Sequence, residues 1–262
     1  MCLVLIAHRA CPGYRLIVAA NRDEYHGRPT AAASHWQDHG KILAGRDLEG
    51  GGTWLGLHLD GRFATVTNVR AGHAVRRGPR SRGLIVTDFL LAAEDAPSHA
   101  TRLMREARDY DGFNLLAWDG DTLSWLSNQA DEPRTLGPGI HTLSNAQLDT
   151  SWPKTDRLRH GFSHVMAAHG HNPVPALLDV LRDNVRAADE YLPDTGIGYE
   201  RESWLSSIFI EGAGYGTRCS TVLTVSDGGH VSFHERRYDA EAAISGDSRF
   251  EFELPADRGE RG

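Results

Sequence analysis

Apolar positions in this chain follow two different periods. The first 21 residues hold two near-continuous apolar runs rich in β-formers, CLVLIAHR and YRLIVAAN, separated by Ala-Cys-Pro-Gly. Turn chemistry between two such runs predicts a hairpin, and runs without polar alternation predict strands covered on both faces. WLGLHL and FATVTN repeat the pattern around Asp60-Gly61. Between Arg82 and Asp109 the period lengthens. Leu84, Ile85, Phe89, Leu90, Leu103 and Met104 recur at helical spacing, and Pro97 divides the segment into two helices. FNLLAWDGDTLSWLSN predicts another hairpin on an Asp-Gly turn, followed by a strand in GIHTLSN. A second helical block covers about 153 to 190, broken near His171-Asn172-Pro173, with Leu177, Leu178, Leu181 and Val185 on its apolar face. TRCSTVLTVSDGGHVSFHERRYD predicts a further hairpin, and SRFEFEL in the tail an edge strand.

Strands joined by hairpins rather than by helical crossovers pair antiparallel. Two helical blocks of similar weight, and strands that need cover on both faces, predict an α+β fold. Two stacked, mostly antiparallel sheets lie between two helical layers in that reading. No repeat, low-complexity linker or composition break divides the chain, so 1–262 is expected to be one domain.

Charge and composition narrow the function classes. The chain carries 28 basic and 35 acidic residues, a net charge of −7, and no Lys/Arg run, which argues against nucleic-acid binding. Three cysteines without paired spacing argue against a disulfide framework or a zinc ribbon. MCLVLIA lacks a basic flank and is ended by His8 and Arg9, unlike a secretory signal. No stretch approaches the roughly 20 apolar residues of a membrane span. A cytoplasmic protein without integral membrane association is expected. His160 and His164 are four apart, but no Cys or carboxylate completes a set, so no metal site is expected.

The chemistry concentrates where apolar runs meet polar residues. Removal of Met1 would make Cys2 the N-terminus and place an amine beside a thiol. Near neutral pH that amine can take the thiol proton, which makes a nucleophile with its own base. The alternative is a buried strand cysteine packing as a small hydrophobe. Asn21-Arg22-Asp23-Glu24 closes the second apolar run close to Cys2 in the hairpin. Arg22 could depress the thiol pKa or bind a substrate carboxylate, and Asp23 could orient the α-ammonium; a charged turn is the plainer reading. Asn68 and Asn145 end apolar runs, and Arg218 starts one. Asparagine supplies the neutral donors of an oxyanion hole, although strand-end Asn also makes turns. In GGGTWLG no phosphate-loop spacing follows, so the glycines bring Trp54 to a pocket rim or to the core. Cys11 and Cys219 read as structural.

MC at the start, AANRDE at 19–24, GGTWLG at 51–56, TN at 67–68, FNLL at 113–116, LSNA at 143–146 and YGTR at 215–218 occur together, in order, over nearly the whole chain. This set resembles the NRDE family, that of transport and Golgi organisation 2. The family is in turn similar to cysteine N-terminal-nucleophile (Ntn) hydrolases, the group of penicillin V acylase and bile salt hydrolase. The resemblance implies a four-layer αββα Ntn-hydrolase-like sandwich. It implies Cys2 as nucleophile, Asn68 as an oxyanion donor, Asn145 as the second strand-end asparagine, and Arg218 as the late arginine near the nucleophile. In those hydrolases the Arg and Asp after the second strand are two residues apart, whereas Arg22 and Asp23 are adjacent, which leaves Asn21 and Glu24 as alternative occupants. Two functions follow from it. One is an amidohydrolase or thioesterase that cleaves a non-peptide amide or thioester through a Cys2 acyl-enzyme, with no required cofactor. The other is a non-catalytic protein of haem trafficking or of acyl-CoA and lipid homeostasis, with haem or an acyl-bearing small molecule as the bound ligand.

Overall fold

A computed structural model describes residues 2–70 and 78–255, with Cys2 described through its backbone alone. The opening hairpin is β1 (Cys2–Cys11) and β2 (Tyr14–Tyr25), turned at Pro12-Gly13, where Gly13 takes a φ of +86°. Strands β3 (Thr30–His35) and β4 (Ile42–Asp47) follow, then the hairpin of β5 (Leu55–His58) and β6 (Phe63–Asn68). Helices α1 (Gly83–Leu91) and α2 (Ala96–Glu106) precede β7 (Phe113–Trp118), β8 (Leu123–Ser127), β9 (Arg134–Leu136) and β10 (Gly139–Leu143). Then come α3 (Pro153–His169), α4 (Val174–Val180), α5 (Tyr199–Trp204) and the final strands β11 (Tyr215–Ser226), β12 (His230–Tyr238) and β13 (Ile244–Glu253).

One sheet has the order β10-β1-β2-β11-β12-β13 and the other β3-β4-β5-β6-β7-β8-β9, with every strand pairing antiparallel. Three apolar clusters define four layers. Val4, Ile6, Val18, Leu116, Trp118 and Phe233 fill the space between the sheets. Ile85, Phe89, Leu103 and Leu115 join α1 and α2 to the seven-stranded sheet. Leu3, Leu5, Ile17, Phe162 and Leu177 join α3 and α4 to the six-stranded sheet. Strands β1 and β2 therefore bury both faces, which is why their runs lack polar alternation. Pro97 falls in the first turn of α2, where its missing N–H leaves no bond unmade.

Three differences from the sequence expectations stand out. The NRDE segment does not end its strand: β2 continues through it to Tyr25, held by β11. The stretch between Thr30 and Asp47, which carries no clear period, supplies two strands at the edge of the seven-stranded sheet. Leu177, Leu178 and Leu181 are buried as expected, but the helix ends at Val180 and Val185 is 55% exposed. Among the described residues no helix is long and apolar enough to cross a membrane.

Candidate functional site

The site begins with the register of the opening hairpin. Cys2 lies opposite Arg22 on β2, and Arg22 lies opposite Cys219 on β11. The Cys2 side chain and Met1 lie outside the described residues. Alternation then sorts the NRDE side chains. On β2, Leu16, Val18 and Ala20 face the space between the sheets, whereas Ile17 and Ala19 face the helices. Asn21 and Asp23 continue the helix-facing row; Arg22 and Glu24 continue the inter-sheet row.

Arg22 reaches a cleft of about 390 Å³ between the ends of the sheets, shared with Glu24, Trp54, Asn68 and Arg82. It is 4% exposed, donates from Nη1 to Thr30 Oγ1 at 3.2 Å, and lies 4.1 Å from the Trp54 ring centroid. Among the described residues no carboxylate comes within ion-pair distance of it. A buried guanidinium stacked on indole and lacking a counter-ion is ready for an anionic ligand group. The other cleft charges are largely balanced. Arg28 holds Asp47 at 2.8 Å and Glu49 at 3.4 Å, and Glu24 is 4.0 Å away. Burial opposes ionisation of Asp47, yet the Gly50 amide and Arg28 together hold its carboxyl below the usual range. Trp54 reaches the cleft because the glycines beside it remove steric cover. A Cβ at Gly45 would overlap its ring, and one at Gly52 would overlap Gly83 at the start of α1.

On the helix-facing side the same strand builds a closed polar network. Asn21 Nδ2 donates to the carbonyls of Leu181 and Ile208, at 2.8 and 2.9 Å, and its Oδ1 accepts from Ser220 at 2.6 Å. Asn21 is thus fully occupied in tying β2 to the 181–208 segment, away from the cleft. Asp23 accepts from Thr217 Oγ1 at 2.7 Å and is 1% exposed. Burial pushes its carboxyl pKa up, an effect offset in part by neighbouring positive charge, that of Lys154 and Arg70 included.

Asn68 and Asn145 are brought together, but in different roles. Asn145 is wholly buried, and its Nδ2 donates to the Asn68 carbonyl at 2.8 Å. Asn145 is therefore a brace between β10 and β6, while the Asn68 side chain is the one at the cleft. Arg218 is the extra residue of a β-bulge, between Thr217 opposite Asp23 and Cys219 opposite Arg22. The bulge turns it onto the 25–28 turn, where Nη1 donates to the carbonyls of Tyr25, His26 and Arg28 at 2.8, 3.1 and 3.3 Å. Burial, and then the nearby charge of Arg22, push its pKa down.

Sequence reasoning missed the buried charges beneath Asp23. Lys154, 2% exposed, donates to the Leu205 carbonyl at 3.1 Å. Arg70 pairs with Glu202 at 2.6 Å, both side chains 4% exposed. One signal existed for the first: Lys154 sits in the first turn of α3, where a cation opposes the helix dipole. Arg70 gives no such sign. His160 and His164 stack on each other at 6.4 Å, and among the described residues no cluster of three or more His, Cys, Asp or Glu could hold a metal ion. The described cleft lining also offers no His, Met or Cys as an axial ligand to haem iron.

Comparison with known proteins agrees over nearly the full length. The family model for Transport and Golgi organisation 2 matches residues 1–240. The Transport and Golgi organization protein 2 homologs of Bos taurus and Homo sapiens are 35% and 34% identical over 256 residues, covering 90% of this chain and 92% of each relative. The Drosophila melanogaster protein of that name is 29% identical over 266 residues, covering 90% of this chain and 91% of its own. Among solved structures, the chain is similar to a C2A mutant of conjugated bile acid hydrolase from Clostridium perfringens, covering 100% of both chains. The TM-score of 0.44 and 7% identity make this a likeness too weak to transfer any function. The match from the first residue through the end of β12, and the relatives' shared length, establish that this chain belongs to the Transport and Golgi organisation 2 family.

Proposed function

We propose that the protein is an N-terminal-cysteine hydrolase acting on a non-peptide amide or thioester in the cleft. The observation that carries this reading is the pairing of Cys2 with Arg22, a buried cation that opens onto the cleft and has no counter-ion among the described residues. In the antiparallel register, the N-terminal side of Cys2 runs toward Asp23, the next residue along β2. With Met1 removed, the α-amine of Cys2 takes the thiol proton and Asp23 orients the resulting ammonium. The thiolate attacks the carbonyl carbon, and the Asn68 amide stabilises the oxyanion. Collapse expels the amine or thiol, which leaves with the ammonium proton, and a thioester to Cys2 remains. Water, deprotonated by the α-amine, then releases the acid and restores the thiol.

Intact-mass analysis and a panel of acyl amides and acyl thioesters test this. The expected result is a chain lacking Met1, a transient acyl adduct on Cys2, and loss of turnover in Cys2→Ser without loss of folding. Retention of Met1, or undiminished turnover in Cys2→Ala, rejects it. A second reading, a carrier of acyl-CoA, is favoured by Arg22 and Arg82 lining the same cleft, since guanidinium groups suit phosphates. Acyl-CoA binding that survives Cys2→Ala, with no adduct or cleavage in the wild type, would select it.

A further inference from the structure

Arg70 carries an unfilled hydrogen-bonding edge. Its Nη1 donates to Glu202 Oε2 at 2.6 Å, and its guanidinium lies 5.0 Å from the Trp152 ring centroid. Nε and Nη2 are both buried and have no acceptor among the described residues. These two nitrogens share one edge of the guanidinium, with parallel N–H bonds spaced to grip a carboxylate. The protein uses the same edge elsewhere: Nε and Nη2 of Arg28 converge on Asp47 at 2.9 and 2.8 Å. Leaving two charged donors buried and unmatched is costly. Such an edge is kept where a ligand completes it.

The edge lies beside the candidate site: Arg70 is not among the described residues lining the cleft, but Asn68 is. Arg70 follows Asn68 by two residues, and its backbone N–H donates to the Asn145 carbonyl at 2.6 Å. Its neighbours in charge are Asp23 and Tyr215, beside the N-terminal end of Cys2 in the strand register. Glu202, which balances its charge, is itself fixed by Thr195, whose backbone N–H donates to Oε1 at 2.8 Å. The position of Nη1 is therefore set from the protein side, and the remaining edge is set with it.

We propose that the open Nε–Nη2 edge of Arg70 receives a ligand carboxylate, so that the site selects amides or thioesters that bear a free carboxylate. This deepens the hydrolase reading and rests on the same site. The test is calorimetric, on the full chain carrying Cys2→Ala so that nothing is turned over. The probes are N-octanoylglycine and its N-methylamide, which differ only in the carboxylate. The acid should bind roughly 30-fold or more tighter than the amide, as expected for a desolvated charge pair. Adding Arg70→Gln should bring the acid down to the level of the amide. Because Arg70→Gln leaves Glu202 buried alone, the double variant Arg70→Gln/Glu202→Gln serves as a second check and should show the same lost preference. Glu202→Gln alone should keep most of it. Equal affinities for acid and amide, binding of neither, or a preference that survives both Arg70 variants would overturn the proposal. Failure of the wild type to form an acyl adduct, with the preference intact, would overturn the hydrolase reading and leave this one standing.

Discussion

The two faces of β2 put adjacent residues to opposite uses. On the helix side, Asn21 and Asp23 are at most 1% exposed, and hydrogen bonds to β11 and to the 181–208 segment hold them. On the inter-sheet side, Arg22 meets one hydroxyl and one indole face and otherwise opens onto the cleft. A strand with period two can thus anchor itself with one row of polar groups and offer the other row to a ligand. Polar character alone does not tell Asn21 from Arg22, whereas the parity of the position does; Asp23, on the helix-facing row, is both tied to Thr217 and part of the cleft lining.

That contrast can be broken experimentally, first on its structural side. Asn21→Leu leaves two buried carbonyls without their donor and removes the acceptor of Ser220, and should cost about 3 kcal/mol in urea unfolding. A loss under about 1 kcal/mol would show that the helix-facing row is not an anchor. Arg22→Met should do the reverse. It should leave unfolding within about 1 kcal/mol of wild type. It should also slow alkylation of Cys2 by iodoacetamide at neutral pH by roughly tenfold, since a cation opposite the thiol favours the thiolate. The smallest effect is a pH slope from Asp23. Its pKa is raised in the folded state by burial, so its contribution to stability is full below the unfolded carboxyl value. That contribution is lost as pH rises through the folded value. Asp23→Asn should therefore flatten the decline of stability with pH above about 4, read from urea midpoints across acid to neutral pH. An unchanged slope would remove Asp23 as its source.

The layering was legible because hairpin chemistry is local. Pro12-Gly13, Asp60-Gly61, Asp119-Gly120 and Asp227-Gly228-Gly229 all turn where the sequence indicates, with Gly13, Gly61, Gly120 and Gly229 at positive φ. The placing of Arg22 and Asn68 at one cleft follows the pattern of polar residues at the ends of apolar runs, whereas for Trp54 that pattern left both rim and core open. The role of each was not. Asn21 and Asn68 look alike in sequence, and only the parity of one and the partners of the other separate brace from cleft residue. The pairs Arg70–Glu202 and Lys154–Leu205 join residues 132 and 51 positions apart. No local pattern foretells such burial, because charged side chains are ordinarily solvated. The edge strand β3 and its neighbour β4 were missed for another reason: TAAASH and ILAGRD take their pairing from neighbouring strands more than from propensity.

Residues 144–146 act as a mechanical fastener. Thr67 donates to the Ser144 carbonyl at 2.6 Å, and Asn145 exchanges two bonds with the Asn68–Arg70 stretch. Asn114 then reaches the Ala146 carbonyl at 2.8 Å. Elsewhere the sheets meet largely through apolar side chains, whose attraction has no preferred direction and resists sliding only weakly. Here directional bonds join the two sheets at one corner, as the bond from the Ala33 amide to Glu235 and that between His8 and the Asp121 carbonyl do elsewhere. Asn68 and Arg70 lie next to this fastening. The Asn68–Arg70 stretch is therefore held in register with the end of β10, so the wall of the cleft beside Asn68 is fixed by both sheets at once.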